Sequence, residues 1–227
     1  MDWSDSLEQA SFREEVATFI DTRLPADYRG SEDGGEGRGS WQADRKSADV
    51  NARETAIAWA DALAEKGWIA PHWPKEYGGA GLSTMEQFIY NLEMAKAAAP
   101  APGGMGVSLL GPTMIVHGSD EQKAEHLPRV LSGEVAWAQG YSEPSAGSDL
   151  ASLQTRATRD GDDYVINGQK TWTSGAQYAD WLFALVRTEP DAPKHRGISF
   201  IVMDIKTPGI TVRPIVDMGW NEPFNET

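Results

Sequence analysis

The sequence predicts an α+β, multidomain protein in which a helical first part is followed by a strand-rich second part. Before Gly133, apolar residues recur with a helical spacing, and after it the apolar period shortens to that of β-strands. Hydrophobic residues make up 40% of the 227-residue chain, which is enough for a real core. We therefore expect a helical domain over residues 1–133 and a β domain over residues 134–227.

The first helix is predicted by an apolar face whose members recur every three to five residues, namely Leu7, Phe12, Val16, Phe19 and Ile20. Pro25 should end this helix, because proline lacks the N–H that a helix needs. The acidic, glycine-rich stretch 30–40 that follows is typical of a mobile surface loop.

Two further helices are predicted over residues 52–66 and 84–96. The first can pack through Ile57, Trp59, Ala60 and Leu63, and Gly67 is well placed to stop it. Ser83 is a candidate N-cap for the second, because its hydroxyl can accept from a free amide of the first turn.

The last helical signals come before Gly133. The apolar, glycine-rich stretch 102–116 favours a buried helix. Ser119 is a candidate N-cap for a helix over 120–131, and we expect Pro128 to bend or end that helix.

Short strands are predicted over 135–141, 155–159, 164–166, 181–186, 198–204 and 210–212. The triplet Asp160-Gly161-Asp162 separates the second strand from the third, and such a turn predicts a β-hairpin.

The charge of the chain excludes several classes of partner. Acidic residues number 34 against 20 basic ones, which gives a net charge of −14. Phosphate backbones require a basic face, so nucleic acid is not an expected partner. The same charge argues against an anionic membrane surface, but a local patch or a helix N-terminus can still bind an anionic ligand.

Other absences define the expected compartment and chemistry. The chain has no cysteine, so it has no disulfide and no thiolate. Its first residues are polar and acidic, unlike a signal peptide, and no apolar run approaches the ~18 residues that a membrane span needs. We expect a cytoplasmic protein. No metal site is expected either, because none of the histidines (His72, His117, His126 and His195) pair at ligand spacing.

Three ordered motifs in the second part carry the functional signal. They are SEPSAGSD at 142–149, NGQKTWTS at 167–174 and ADW at 179–181. PKEYGGAGLS at 74–83 and HGS at 117–119 precede them in the first part. The set closely resembles the acyl-CoA dehydrogenases, whose middle domain reads T-E-P-x-A-G-S-D, then N-G-x-K-x-W/F-I-T, then A-D-W. The resemblance covers essentially the whole chain.

This resemblance implies a three-part fold: an N-terminal α-helical domain, a β-barrel-like middle domain and a C-terminal four-helix bundle. Residue 227 falls within the middle domain, so we expect a chain truncated before the bundle, with its middle domain incomplete. The family also assembles into oligomers, so the complete protein is expected to be a homo-oligomer (dimer or tetramer) or a hetero-oligomer.

The resemblance also implies a reaction, which is the FAD-dependent α,β-dehydrogenation of an acyl-CoA thioester in fatty acid β-oxidation. Electrons would pass to an electron-transfer flavoprotein. The family's catalytic base is a glutamate of the C-terminal bundle, so we assign no catalytic residue in this chain. Glu143 and Glu226 are carboxylates of the right type, but neither occupies the family's position for the base.

The first group of candidate flavin-binding residues is Gln139, Tyr141 and Ser142, on a strand and at the start of the following loop. A flavin has polar edges that backbone amides and short hydroxyls can bind. By resemblance, Ser142 holds the pyrimidine edge of the flavin in place of the usual threonine, and Ser148 contacts the acyl-CoA. Taken by itself, this loop is equally typical of an ordinary turn.

The second group is Trp172, Thr173 and Ser174. An indole can stack on the isoalloxazine, and a hydroxyl can donate to flavin N5. The family writes W/F-I-T here, so Thr173 replaces the isoleucine and Ser174 inherits the N5 role. Without the resemblance, an amphipathic strand with a core tryptophan explains the segment as well. Lys170 is expected to be solvated or structural.

Alternatives of different classes remain open. The chain could be a truncated gene product, a split-gene subunit whose partner supplies the bundle, or a non-catalytic subunit. Acyl-CoA oxidases and flavin monooxygenases share the same scaffold. Steroid side-chain, branched and straight-chain acyl-CoAs all remain open as substrates.

Overall fold

The computed structural model describes residues 4–29 and 41–227. The predicted loop at 30–40 lies outside the described residues. The chain divides into two compact units, one up to Glu134 and one from Val135 to Thr227. The first is helical and the second is built on a mixed sheet, which confirms the predicted fold class.

Six α-helices are described in the first unit: α1 (Leu7–Arg23), α2 (Trp41–Arg45), α3 (Val50–Glu65), α4 (Thr84–Lys96), α5 (Gly111–His117) and α6 (Asp120–Leu131). The predicted caps Ser83 and Ser119 are confirmed, and each forms a capping box with the residue three positions later. Gly67 follows α3 with φ +68°, a left-handed conformation that glycine adopts without strain, so the predicted stop is also confirmed.

The core of the first unit includes a cluster of aromatic rings. Trp68 contacts Phe19 at a ring-centroid distance of 4.8 Å and Tyr90 at 5.6 Å. The predicted packing faces need two corrections, because Leu7 and Ile57 are exposed. Leu7 is the first residue of α1, ahead of the buried part of that helix, and Ile57 lies on the flank of the buried stripe of α3.

Two predictions near the end of this unit also differ from the structure. The stretch 102–116 is not one regular helix, because a π-helical turn (Gly106–Leu110) leads into α5. Of the two effects expected of Pro128, a bend or an end of α6, the end is wrong, because the helix continues to Leu131. Proline removes its own amide from the helix, but the Pro128 carbonyl still accepts from the amide of Ser132 at 2.9 Å. Among the described residues, no helix is long and apolar enough to cross a bilayer.

The second unit contains seven strands: β1 (Trp137–Gly140), β2 (Arg156–Asp160), β3 (Asp163–Asn167), β4 (Trp181–Arg187), β5 (Ile198–Asp204), β6 (Arg213–Ile215) and β7 (Phe224–Glu226). The first five form one sheet. Strand β4 pairs in parallel with β1 and antiparallel with β5, while the hairpin β2–β3 joins β4 at Arg156 and Arg187.

Strands β6 and β7 form a separate antiparallel pair. The strand predicted at 210–212 is wrong, because the pairing begins only at Arg213, and β7 was not predicted at all. Each strand has only three residues, and their pairing depends on a partner distant in sequence, so local periodicity carries little information about them.

Alternation along β1 and β4 separates two faces of the large sheet. Ala138, Leu182, Ala184 and Val186 are buried in the apolar core of the unit. The opposite face carries Gln139 next to Phe183, whose ring stacks on Phe200 at 5.5 Å.

Candidate functional site

Gln139 and Tyr141 lie two residues apart on the aromatic face of the sheet. Gln139 pairs in register with Phe183, and the ring of Tyr141 meets Phe183 edge-on at 5.9 Å. Burial raises the pKa of the Tyr141 hydroxyl, and a hydrogen bond with the Gln139 side chain opposes that effect. The two candidates are therefore half-buried polar groups on an apolar surface.

A backbone bond brings the two predicted groups of candidates together. The Thr171 amide donates to the Ser142 carbonyl at 2.9 Å. The loop after β1 thus lies beside the segment that contains Trp172 and Ser174. This contact could not be predicted from the sequence, because about thirty residues and a hairpin lie between the two segments.

On its other side, the Trp172 segment pairs with β7. Lys170 and Thr227 exchange backbone hydrogen bonds of 2.7 and 2.9 Å, and Thr173 and Asn225 exchange bonds of 2.9 and 3.1 Å. Between these pairs lie two residues on one strand and a single residue on the other. This is a β-bulge, which bends a strand and can redirect a side chain.

Trp172 occupies the bulge in a left-handed conformation, with φ +58°. Such a backbone is a genuine outlier for a bulky residue. The indole is 59% exposed, and its ring meets Phe224 edge-on at 5.5 Å. The bulge therefore presents an aromatic face at the surface, and backbone strain of this kind is found most often at functional sites.

The two neighbouring hydroxyls differ in accessibility. Thr173 is fully buried, and its carbonyl accepts from both the amide and the side-chain Nδ2 of Asn225. Ser174 is partly exposed. Of the two predicted hydroxyls, Ser174 is thus the one that a molecule at the surface can reach.

Ser148 lies at the surface beyond a tight turn. The turn is closed by two backbone bonds between Glu143 and Ala146, of 2.9 and 3.1 Å. A Cβ atom on Gly147 would meet no atom of the chain within 4 Å, so packing does not require glycine there. That openness is compatible with a ligand approaching the backbone, which is the predicted use of this loop.

The sequence did not predict the ion pair between Lys170 and Glu143. Both residues are buried, and Lys170 Nζ lies 2.8 Å from Glu143 Oε1, so Lys170 is not solvated. Burial by itself would raise the pKa of Glu143, but hydrogen bonds from Lys170 and from the amides of Gln154 and Thr155 hold it at about 2. Glu143 is therefore ionised and fully engaged, which makes it a poor general base.

Glu226 is also engaged, in an ion pair with Arg213 at 2.7 Å. The only sequence signal for the Lys170–Glu143 pair was the position of each residue inside a motif, one residue from Ser142 in one case and two from Trp172 in the other.

Comparisons with known proteins agree with this architecture. The family models for the N-terminal and middle domains of acyl-CoA dehydrogenases match residues 6–134 and 138–226. The chain belongs to the acyl-CoA dehydrogenase family. Each family model matches one of the two structural units. The assignment to the family therefore does not depend on how the units are arranged.

One curated relative and two solved structures illustrate the similarity. Acyl-CoA dehydrogenase FadE26 of Mycobacterium tuberculosis is 42% identical over 93% of this chain and 50% of its own length. The ChsE4–ChsE5 complex of the same organism is 37% identical with a TM-score of 0.75, over all of this chain and 53% of the other. The steroid ACAD Tcur3481–Tcur3483 is also 37% identical, with a TM-score of 0.78 over all of this chain and 55% of the other. This chain thus spans about half the length of the relatives it matches.

Proposed function

We propose that this chain binds FAD at the edge formed by residues 139–142 and 172–174. The observation that carries the proposal is the hydrogen bond from the Thr171 amide to the Ser142 carbonyl, which places both predicted groups side by side next to an exposed indole. Bound FAD would supply a hydride acceptor, a chemistry that no amino-acid side chain offers.

The residues divide the binding task among themselves. The Trp172 indole provides an apolar surface for the flat ring, and the Gln139 amide and the Ser142 hydroxyl are suited to its polar edge. Ser174 would donate a hydrogen bond from its hydroxyl to flavin N5, and Ser148 would contact the acyl-CoA. Thr173 contributes through its backbone, since its side chain is buried.

The proposed reaction is the α,β-dehydrogenation of an acyl-CoA thioester, with an electron-transfer flavoprotein as the final acceptor. Relatives named acyl-CoA dehydrogenase support this class. A solved relative described as a steroid ACAD makes a steroid-linked acyl thioester the first substrate to test, ahead of a straight-chain fatty acyl thioester.

The carboxylate that removes the α-proton would come from polypeptide beyond these residues. Glu143 and Glu226 are both held in ion pairs, and the matched relatives are about twice as long as this chain. One solved relative is described as a complex of ChsE4 with ChsE5, and another carries the double name Tcur3481–Tcur3483, which supports a hetero-oligomer as the working assembly. We also propose that the boundary between the helical domain and the β domain lies between residues 133 and 134.

A titration of the purified chain with FAD tests the proposal. Flavin fluorescence should be quenched saturably, and the melting temperature should rise because the ligand binds the folded state only. Ser174→Ala should weaken binding by about 1–3 kcal/mol through the lost hydrogen bond. Ser145→Ala is the matched control, because Ser145 is exposed at the tip of the turn in the same unit.

Two results would count against the proposal. One is the absence of saturable quenching at any protein concentration, together with an unchanged melting temperature. The other is equal affinity of Ser174→Ala, Ser145→Ala and the parent chain, which would place any bound FAD away from this edge.

A further inference from the structure

The Lys170–Glu143 pair lies where four separate segments of the second unit meet. Glu143 follows β1, Lys170 follows β3, Gln154 and Thr155 precede β2, and Thr227 follows β7. All these contacts are inside one unit. The pair has no part in the proposed chemistry, yet it is flanked by both groups of flavin-binding candidates.

Lys170 makes contacts in three directions. Its ammonium donates to Glu143 Oε1 at 2.8 Å and to the Tyr141 carbonyl at 3.1 Å. Its backbone exchanges two hydrogen bonds with Thr227. One residue therefore ties the start of the Trp172 segment both to the loop after β1 and to the strand segment that pairs opposite the bulge.

The Glu143 carboxylate also makes several hydrogen bonds. Its two carboxylate oxygens accept from the amides of Gln154 and Thr155, at 2.6 and 2.9 Å, in addition to the Lys170 ammonium. The carboxylate thereby anchors the residue next to Ser142 to the segment entering β2.

Stability alone gives a weak reason for such a pair. Two buried charges cost desolvation energy, and apolar replacements of the same volume are often as stable. A charged pair has directional bonds that an apolar pair lacks. Here the two bonds from the Lys170 ammonium, to Glu143 and to the Tyr141 carbonyl, fix one flavin-binding segment relative to the other, and the remaining bonds anchor both to neighbouring strands.

We propose that Lys170 and Glu143 are positioning residues, which hold the Tyr141–Ser142 and Trp172–Ser174 segments in the register that binds FAD. This inference rests on the proposed function. Neither residue touches the cofactor in this account, since both act through the backbone next to the residues that do. Loss of the pair should therefore reduce FAD affinity more than it reduces the stability of the unit.

Three variants separate positioning from simple stabilisation: Glu143→Gln, Lys170→Met and the double variant E143Q/K170M. Each single variant leaves one buried charge unpaired, so it should lower stability. The double variant removes both charges and should recover much of that stability. All three should bind FAD more weakly, by about tenfold or more, which corresponds to ~1.4 kcal/mol. The bound flavin's visible circular dichroism should change as well.

Val186→Ala is the matched control for stability. Val186 is fully buried in the core on the other face of the same sheet, so its loss destabilises the unit without touching the flavin edge. We expect its FAD affinity to stay within about twofold of the parent, a change of less than ~0.5 kcal/mol.

Hydrogen exchange of the Thr171 amide gives a readout that needs no cofactor. This amide bonds to Ser142, so it should exchange faster in the double variant than in Val186→Ala. If the double variant regains parental FAD affinity along with its stability, the pair is merely structural and the inference fails. Equal exchange in the double variant and Val186→Ala would also overturn it. Absence of FAD binding to the parent chain would instead defeat the proposed function, and the exchange measurement would still decide the role of the pair.

Discussion

Trp172 shows how one backbone angle determines what a side chain can contact. In a regular strand, this indole would follow the alternation of the pleat and pack against a sheet face. The left-handed conformation in the bulge instead turns it outward, at 59% exposure. The residue therefore carries a conformational cost that its own packing does not explain.

We expect Trp172→Gly to leave stability nearly unchanged while it weakens FAD binding. Glycine relieves the left-handed strain, about 1–2 kcal/mol, which offsets the lost aromatic contact, about 0.5–1.5 kcal/mol. Urea denaturation and FAD titration measure the two effects separately.

Trp220→Gly is the matched control for that change. Trp220 is also left-handed, with φ +64°, and is 88% exposed, but it belongs to no flavin-binding group. This variant should be at least as stable as the parent chain and bind FAD equally well. A similar loss of FAD affinity in both variants would contradict the assigned role of Trp172.

Glu143 should make the unfolding free energy of the chain depend on pH in the acidic range. Its pKa is about 2 in the folded chain against an ordinary value of 4.5, because hydrogen bonds to the carboxylate outweigh its burial. A carboxyl whose pKa is lowered by folding contributes stability that is present above its unfolded pKa and is lost as the pH falls towards its folded pKa. The relevant window thus runs from about pH 4.5 down to about pH 2.

Across that window, the unfolding free energy of the parent chain should fall more steeply than that of Glu143→Gln, which has no titrating group at this position. Urea denaturation at several acidic pH values measures both slopes. Parallel slopes would show that the carboxyl titrates normally in the folded state.

At the scale of elements, the helices and strands that the sequence predicted well are those defined by local contacts. Helix α4 has the predicted bounds, since Ser83 and Glu86 define its start through contacts three residues apart. The hairpin β2–β3 was equally predictable from its turn. In contrast, β7 and the bulge opposite it depend on pairing between segments some fifty residues apart, and no local pattern encodes that register.

The candidate site, too, was predictable where a sequence motif identifies a residue and not where contacts between distant segments decide. Motifs identified residue types such as Ser142 and Trp172, because the family resemblance supplied their order. They did not reveal that Lys170 and Glu143 are paired, or that Thr173 is buried while Ser174 is accessible. Those facts follow from three-dimensional contacts between segments, which single-sequence reasoning does not provide.

Asn225 is the residue that ties β7 to the bulge. It is fully buried, and its side-chain Nδ2 donates to the Thr173 carbonyl at 3.0 Å and to Gln177 Oε1 at 2.5 Å. Asn225→Ala should cost about 1–3 kcal/mol, because the partners lose a buried donor. It should also loosen the Trp172 backbone.

Chemical denaturation and amide hydrogen exchange at Thr173 measure these effects. Asn221→Ala is the control, since Asn221 is exposed and its side chain hydrogen-bonds to Asp217 in the same turn. Its effect should lie within about 0.5 kcal/mol. Equal costs for the two variants would show that β7 does not anchor the bulge.

At the scale of the whole molecule, the two units have different relations to the proposed chemistry. Every flavin-binding candidate lies in the second unit, between Gln139 and Ser174. The first unit contributes a helical core and matches the family's N-terminal domain. Relatives extend to about twice this length, so the complete catalytic apparatus is expected to include polypeptide that these 227 residues do not contain.

The last prediction follows from that division. Residues 1–227 alone should not dehydrogenate acyl-CoA, even where they bind FAD. General-base removal of a proton typically contributes 10²–10⁴-fold to a rate, and the base must lie within about 3 Å of that proton. Glu143 is buried and paired with Lys170, so it is not available for that task, and Glu226, whose pair with Arg213 is partly exposed, does not occupy the family's position for the base.

A dye-reduction assay with acyl-CoA thioesters, including a steroid-linked one, tests this prediction, with a full-length acyl-CoA dehydrogenase as the positive control. Adding a second polypeptide that supplies the bundle should restore reduction, because the missing carboxylate then reaches the α-proton. Flavin reduction by the 227-residue chain at rates near those of the control would show that a base lies within these residues. Glu143→Gln and Glu226→Gln would then identify which carboxylate leaves its ion pair during turnover.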